Sequence, residues 1–140
     1  MTSETTTDSM IALFGEPIHT YSRAEAIADG VLVQVPAEAQ RRAGFRWPVA
    51  VTGTVHGRCV AWGGDEVMEA GRLNELLWTA HTTIAAAARR GDGGALAVPF
   101  RFAFHKVESP GIQREVRLTI AAGPGDDGEP VMTIMFPDED

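Results

Sequence analysis

The spacing of apolar side chains changes period once along this chain, and that change limits the folds open to it. Leu73, Leu76, Leu77, Ala80, Ile84 and Ala87 recur at the three- and four-residue steps of a helix with one apolar face. Arg89, Arg90 and Gly91 close it, cations suiting a helix C-terminus and glycine its exit. From Leu96 the period is two. Leu96, Val98, Phe100, Phe102 and Phe104 share one face, and Arg101, His105 and Val107 the other. Val116, Leu118 and Ile120 repeat the alternation, and Val131 to Phe136 supplies a further strand. Strands joined by short turns bury one face only, and a long apolar-faced helix can cover it. The predicted class is therefore α+β: an antiparallel sheet of three or more strands packed against a long central helix. At 140 residues the chain suits one domain.

Ahead of that helix the signals are local. Residues 1–9 are rich in Thr and Ser and read as a disordered tail, leaving 10–140 as the domain. Met10–Phe14 reads as a short helical turn. Ser22 and Glu25 stand at capping-box spacing and open a helix that would bury Ala24, Ile27 and Ala28 and stop at Gly30. Val31–Val35 is β-branched and of strand length, and Pro36 suits the first position of a short helix ending at Gly44. Residues 49–62 fit two templates. Their β-branched content favours a strand, while Val51, Val55, Cys59 and Trp62 lie on one helical face, and the spacing leans to helix.

Composition excludes more than it selects. The net charge is −7, which argues against a generally basic nucleic-acid binder. The last fifteen residues hold six acids and no base, so nearly all of that charge is local. No apolar run is long enough to span a membrane, and the first residues lack the pattern of a secretory signal. A single cysteine, Cys59, excludes an internal disulfide and fits a cytoplasmic protein.

Motifs that would carry chemistry fail on context. Gly123-Pro-Gly-Asp-Asp-Gly128 has the G-x-G-x-x-G spacing, but a strand follows where a dinucleotide loop needs a helix. Asp126, Asp127 and Glu129 lack the alternating ligands of a calcium loop. His56 and Cys59 are three apart, which is half of a zinc site, and the other histidines are scattered. Cys59 between Val55 and Trp62 reads as a buried, inert thiol. No catalytic residue, metal or cofactor is expected. Phe100, Phe102 and Phe104 would stack bases only on an exposed face, and here they belong to the apolar one. Arg101, Lys106, Arg114 and Arg117 form the one plausible basic face, the nucleic-acid alternative. Trp47, Trp62 and Trp78 read as core or corner anchors, or as exposed binding residues.

Phe14–Val35 with Ala43–Thr52, the Arg72-Leu73 to Leu77-Trp78 stretch, and Ala122–Asp140 resemble a small family of unknown function found on bacterial plasmids and phages. The resemblance implies an accessory protein of mobile elements and carries no known activity. Gly53, Gly57 and Phe100–Phe104 depart from the family's pattern. Together these readings predict a non-enzymatic protein that binds a host or element-encoded protein, with host defence systems such as CRISPR or restriction among the targets; the alternatives are a small ligand- or metal-dependent enzyme and a nucleic-acid-binding module. Asp126, Asp127, Glu129, Asp138, Glu139 and Asp140 would dock on a partner's basic surface.

Overall fold

The computed structural model describes residues 21–91, 97–106 and 109–139, with the side chains of all of these except 106, 109 and 110. The expected tail at residues 1–9 and the turn at Met10–Phe14 lie outside the described residues.

The chain enters through α1 (Arg23–Ala28), where both arms of the capping box are made. The Ser22 hydroxyl accepts from the Glu25 amide at 3.0 Å, and the Glu25 carboxylate accepts from the Ser22 amide at 2.8 Å. Ala26 is the buried residue, and Ala24 and Ala28, expected inside, are exposed. This six-residue helix is held by its N-terminus, and that tether sets which face turns inward.

Strand β1 (Leu32–Gln34) pairs antiparallel with β2 (Val49–Thr52). Between them lies α2 (Ala37–Arg42), which Pro36 precedes as its cap rather than joining as its first residue. Gly44 leaves α2 at φ +101°, in the left-handed region that glycine adopts without a Cβ penalty. All four residues of β2 are buried, as a strand covered on both faces requires.

Residues 49–62 divide at Thr52 instead of forming one helix. Val49–Thr52 is strand because its neighbours in the sheet and the layers on both sides take up its backbone and side chains. The Thr52 hydroxyl then accepts from the Val55 amide at 3.1 Å and starts α3 (Gly53–Val55), which continues as a π-helical turn, His56–Val60.

Helix α4 (Glu66–Arg89) is 24 residues long, and the Asp65 carboxylate caps the amides of Val67 and Met68. Leu76, Leu77, Ala80 and Ala87 are buried, with Leu73 and Ile84 partly so, as the periodicity requires. Strands β3 (Ala97–Lys106), β4 (Ser109–Pro124) and β5 (Pro130–Met135) follow as a meander. The sheet order is β1-β2-β5-β4-β3. Every pair is antiparallel except β2 with β5, which makes the five-stranded sheet mixed.

One face of that sheet carries Val51, Ile134, Ile120 and Val98 in register, with Leu118 and Phe102 on the same face, and α4 packs against it at β3. Burying a Leu or Ile side chain fully is worth about 1.5–3 kcal/mol, so this layer is the main source of stability. Arg72 is the exception within it. Its guanidinium sits over the rings of Trp62 at 4.8 Å and Phe104 at 5.1 Å, leaving the residue only 6% exposed. Burial of an arginine is tolerable where aromatic faces replace water against the cation.

Candidate functional site

The five terminal acids among the described residues fall into two groups. Asp126 and Glu129 lie in the turn before β5, whereas Asp138 and Glu139 follow it. Six residues of strand separate the groups by about 20 Å. Three of the acids are committed within the chain. Asp126 accepts from the backbone amides of Arg23 and Ala24 at 2.8 and 3.0 Å, and these bonds hold its carboxyl below the usual range. The Arg23 side chain completes the clasp, donating to Thr133 Oγ1 and to the Met132 carbonyl at 2.8 and 2.9 Å. Glu129 accepts from the Asp127 amide at 2.9 Å and braces the turn. Glu139 accepts from the Thr52 hydroxyl and from the Phe136 amide, fastening the end of the chain beside the start of α3. Asp127 and Asp138 are exposed, and Asp140 lies outside the described residues.

The four basic residues divide as well. Arg101 and Arg117 are direct cross-strand partners, so their side chains share the sheet face opposite α4. Arg101 also meets Glu115 at 3.8 Å on that exposed face. Arg114 pairs with Phe104 and therefore has the parity of the core-facing residues, although it is exposed beyond the core's edge. Lys106 ends β3, and its side chain lies outside the described residues. Phe100, Phe102 and Phe104 are buried in the core. Cys59 is fully buried in the π-helical turn, and His56 beside it is half-buried. No group of three or more metal-ligating side chains occurs among the described residues. Likewise, no helix among them is long and apolar enough to cross a membrane.

A wide concavity lies elsewhere, between α4, the end of α2 and the outer strand β3. It has a volume of about 600 Å³ and is lined by Asn74, Glu75, Trp78 and Thr79 of α4, Arg42 and Ala43, and Arg101, Phe102 and Ala103 of β3. This is a size that holds a small ligand or a few residues of a peptide. Steps of one and four along α4 place its four lining residues on one flank of the helix. Trp78 is 66% exposed there, an unusual position for so large an apolar ring. The two arginines at the rim are tied loosely, Arg42 to Glu38 at 3.3 Å and Arg101 to Glu115. A smaller hollow of about 240 Å³ is lined by Gly44, Phe45, Trp47 and His81 among others, with the Phe45 and His81 rings edge to face at 5.2 Å.

Of these residues, sequence reading singled out Trp78 and Arg101 but assigned them to different hypotheses. It passed over Arg42, Asn74, Glu75 and Thr79. The available signal was Trp78 itself, which falls one position beyond Leu77 and so off the apolar stripe of α4.

No curated protein and no solved structure shows significant similarity to the chain. Residues 10–140 match the model of a family of unknown function, DUF6573, and the chain belongs to that family.

Proposed function

We propose that this protein is a non-enzymatic binding module for another protein and that the groove between α4 and β3 is its contact surface. The observation that carries this reading is Trp78, two-thirds exposed on the wall of a concavity of about 600 Å³ that Arg42 and Arg101 also line. Exposed tryptophan and arginine side chains beside a concavity are the residue types that dominate binding energy at protein interfaces. The acidic end supports the reading less well, because Asp126, Glu129 and Glu139 are occupied in holding the fold. The resemblance to proteins of plasmids and phages supports a component of host defence as the first class of partner to test.

The test is affinity capture by the intact chain from a bacterium with active defence systems, in parallel with Trp78→Ala. A partner retained by the wild type, and about 30-fold weaker with Trp78→Ala, is the expected result. Equal capture by both removes the groove as the contact surface.

One observation favours a second reading, contact with nucleic acid. Arg101 and Arg117 stand side by side on an open sheet face. A gel shift at low salt tests it, and binding that persists when both are changed to Gln excludes that face.

A further inference from the structure

Resting on the groove as contact surface, we propose that its occupant is an extended segment of a partner protein. The segment adds to the outer edge of β3 as a sixth strand, its alternate side chains apolar toward Trp78 on the α4 side and acidic beside Arg101 on the opposite face of the sheet.

The topology supplies the docking edge. β3 is last in the sheet order and pairs with β4, and no strand among the described residues pairs with its other side. Backbone donors and acceptors on such an edge are ready for another chain. The groove is walled by that edge at Arg101–Ala103 and by α4 at Asn74 and Trp78. A strand set down beside β3, at the usual spacing of about 4.8 Å, therefore runs over α4. Every second side chain then points into the groove, the arrangement by which strand addition obtains both affinity and selectivity.

Pro99 and the register shift between His105 and Lys106 delimit the usable stretch. A proline in a paired edge strand is accommodated with its nitrogen toward the open side, where no ladder bond is lost. Period-two alternation then turns the N–H and C=O groups of Arg101, Ala103 and His105 outward as well. Beyond His105 the ladder is irregular. The open stretch from Phe100 to His105 is about 20 Å long and matches a six-residue segment.

Charge selects the occupant. β3 contains Arg101, His105 and Lys106 and no acid, and the groove sets Arg42 and Arg101 against the single carboxylate of Glu75. Both arginines are held by exposed ion pairs, which contribute little and exchange readily for a partner's carboxylate. A second copy of this chain is a poor occupant. Two β3 edges pairing antiparallel bring basic residues against basic residues, and each copy carries a net charge of −7.

The test uses a display library of random decamers selected against the full-length chain, followed by titration of synthesised peptides. Expected are peptides with acidic and apolar residues in alternate positions. Their affinity should fall at least tenfold with Trp78→Ala and with Arg101→Glu, and stay unchanged with Arg89→Gln. Circular dichroism verifies that each exposed-site variant is folded. N-methylation of alternate peptide amides should abolish binding in one phase and spare it in the other, and the Arg101 and Ala103 amides should gain hydrogen-exchange protection. Selected peptides that bind as helices, or that ignore N-methylation in both phases, overturn strand addition and leave the groove reading intact. So does failure to select any peptide while an intact partner is captured through Trp78. A concentration-dependent dimer abolished by Trp78→Ala overturns the proposal in favour of a second copy. Capture of partners that is indifferent to Trp78 instead removes the groove reading itself.

Discussion

Gly53 and Gly57 lie four residues apart in one short helical segment, yet alanine should act on them in opposite directions. A Cβ built on Gly53 would stand 2.5 Å from the carbonyl oxygen of Gly30, whereas one on Gly57 meets nothing within 4 Å. At Gly57 the methyl group removes freedom from the unfolded chain and fills open space, a gain of about 0.5–1 kcal/mol. At Gly53 the oxygen would have to retreat by about half an ångström to reach even the tightest contact that Cβ atoms make. That oxygen belongs to backbone, and the Gly53 amide donates to the neighbouring Val31 carbonyl at 2.8 Å, so the clash and the bond are relieved only together. Overpacking of this kind costs about 1–3 kcal/mol, and weakening the hydrogen bond adds about 1 kcal/mol. Less the glycine-to-alanine gain of under about 1 kcal/mol, the net loss is about 2 kcal/mol. For a chain of this length that corresponds to a fall in Tm of roughly 8 °C for Gly53→Ala and a rise of roughly 2–4 °C for Gly57→Ala. Urea unfolding followed by tryptophan fluorescence, together with thermal melts, measures both. If Gly53→Ala is as stable as the wild type, or the two variants shift in the same direction, the close approach of α3 to the Gly30 turn is refuted.

Other outcomes follow from single contacts. The Asp126 carboxyl is held low by two amide donors, so its contribution is present above the ordinary carboxylate range and lost as pH falls through its lowered pKa. Asp126→Asn should therefore melt below the wild type at pH 7, with the gap closing in acid. The hydrogen bond from the Tyr21 hydroxyl to Asp29 pushes the phenol pKa up to about 12. Tyr21 is the only tyrosine, so ultraviolet titration reads it alone, and Asp29→Asn should return it toward the ordinary value of 10.0. The Cys59 thiol is fully buried and should react with a thiol reagent only at the rate of unfolding. Arg72→Lys keeps the charge but loses the flat guanidinium between Trp62 and Phe104, and should cost about 1–2 kcal/mol in urea unfolding.

Much of this architecture is legible before any coordinate. The apolar stripe from Leu73 to Ala87 and the alternation at Phe100, Phe102 and Phe104 are local periodicities, and each element buries the face that its period marks. Ser22 with Glu25, and Asp65, satisfy helix amides within three residues of themselves, so their spacing alone identifies them. What escapes is whatever depends on residues distant in the chain. Val51 shares a helical spacing with Val55, Cys59 and Trp62, yet Val49–Thr52 becomes strand because β1 and β5 supply partners from both directions. The acids at Asp126 and Glu139 look like a free, charged end until α1 and Thr52 arrive beside them, about a hundred residues away in sequence.

Sequence by itself determined the α+β class, the long helix, the meander and the core faces, because periodicity and capping are properties of neighbouring residues. Tertiary structure alone decided the parallel pairing of β2 with β5, the work of the acidic residues, and the groove joining Trp78, Arg42 and Arg101. The physical reason is common to all three. A groove or a capping carboxylate is made when separate elements meet, and no local pattern records which elements will meet.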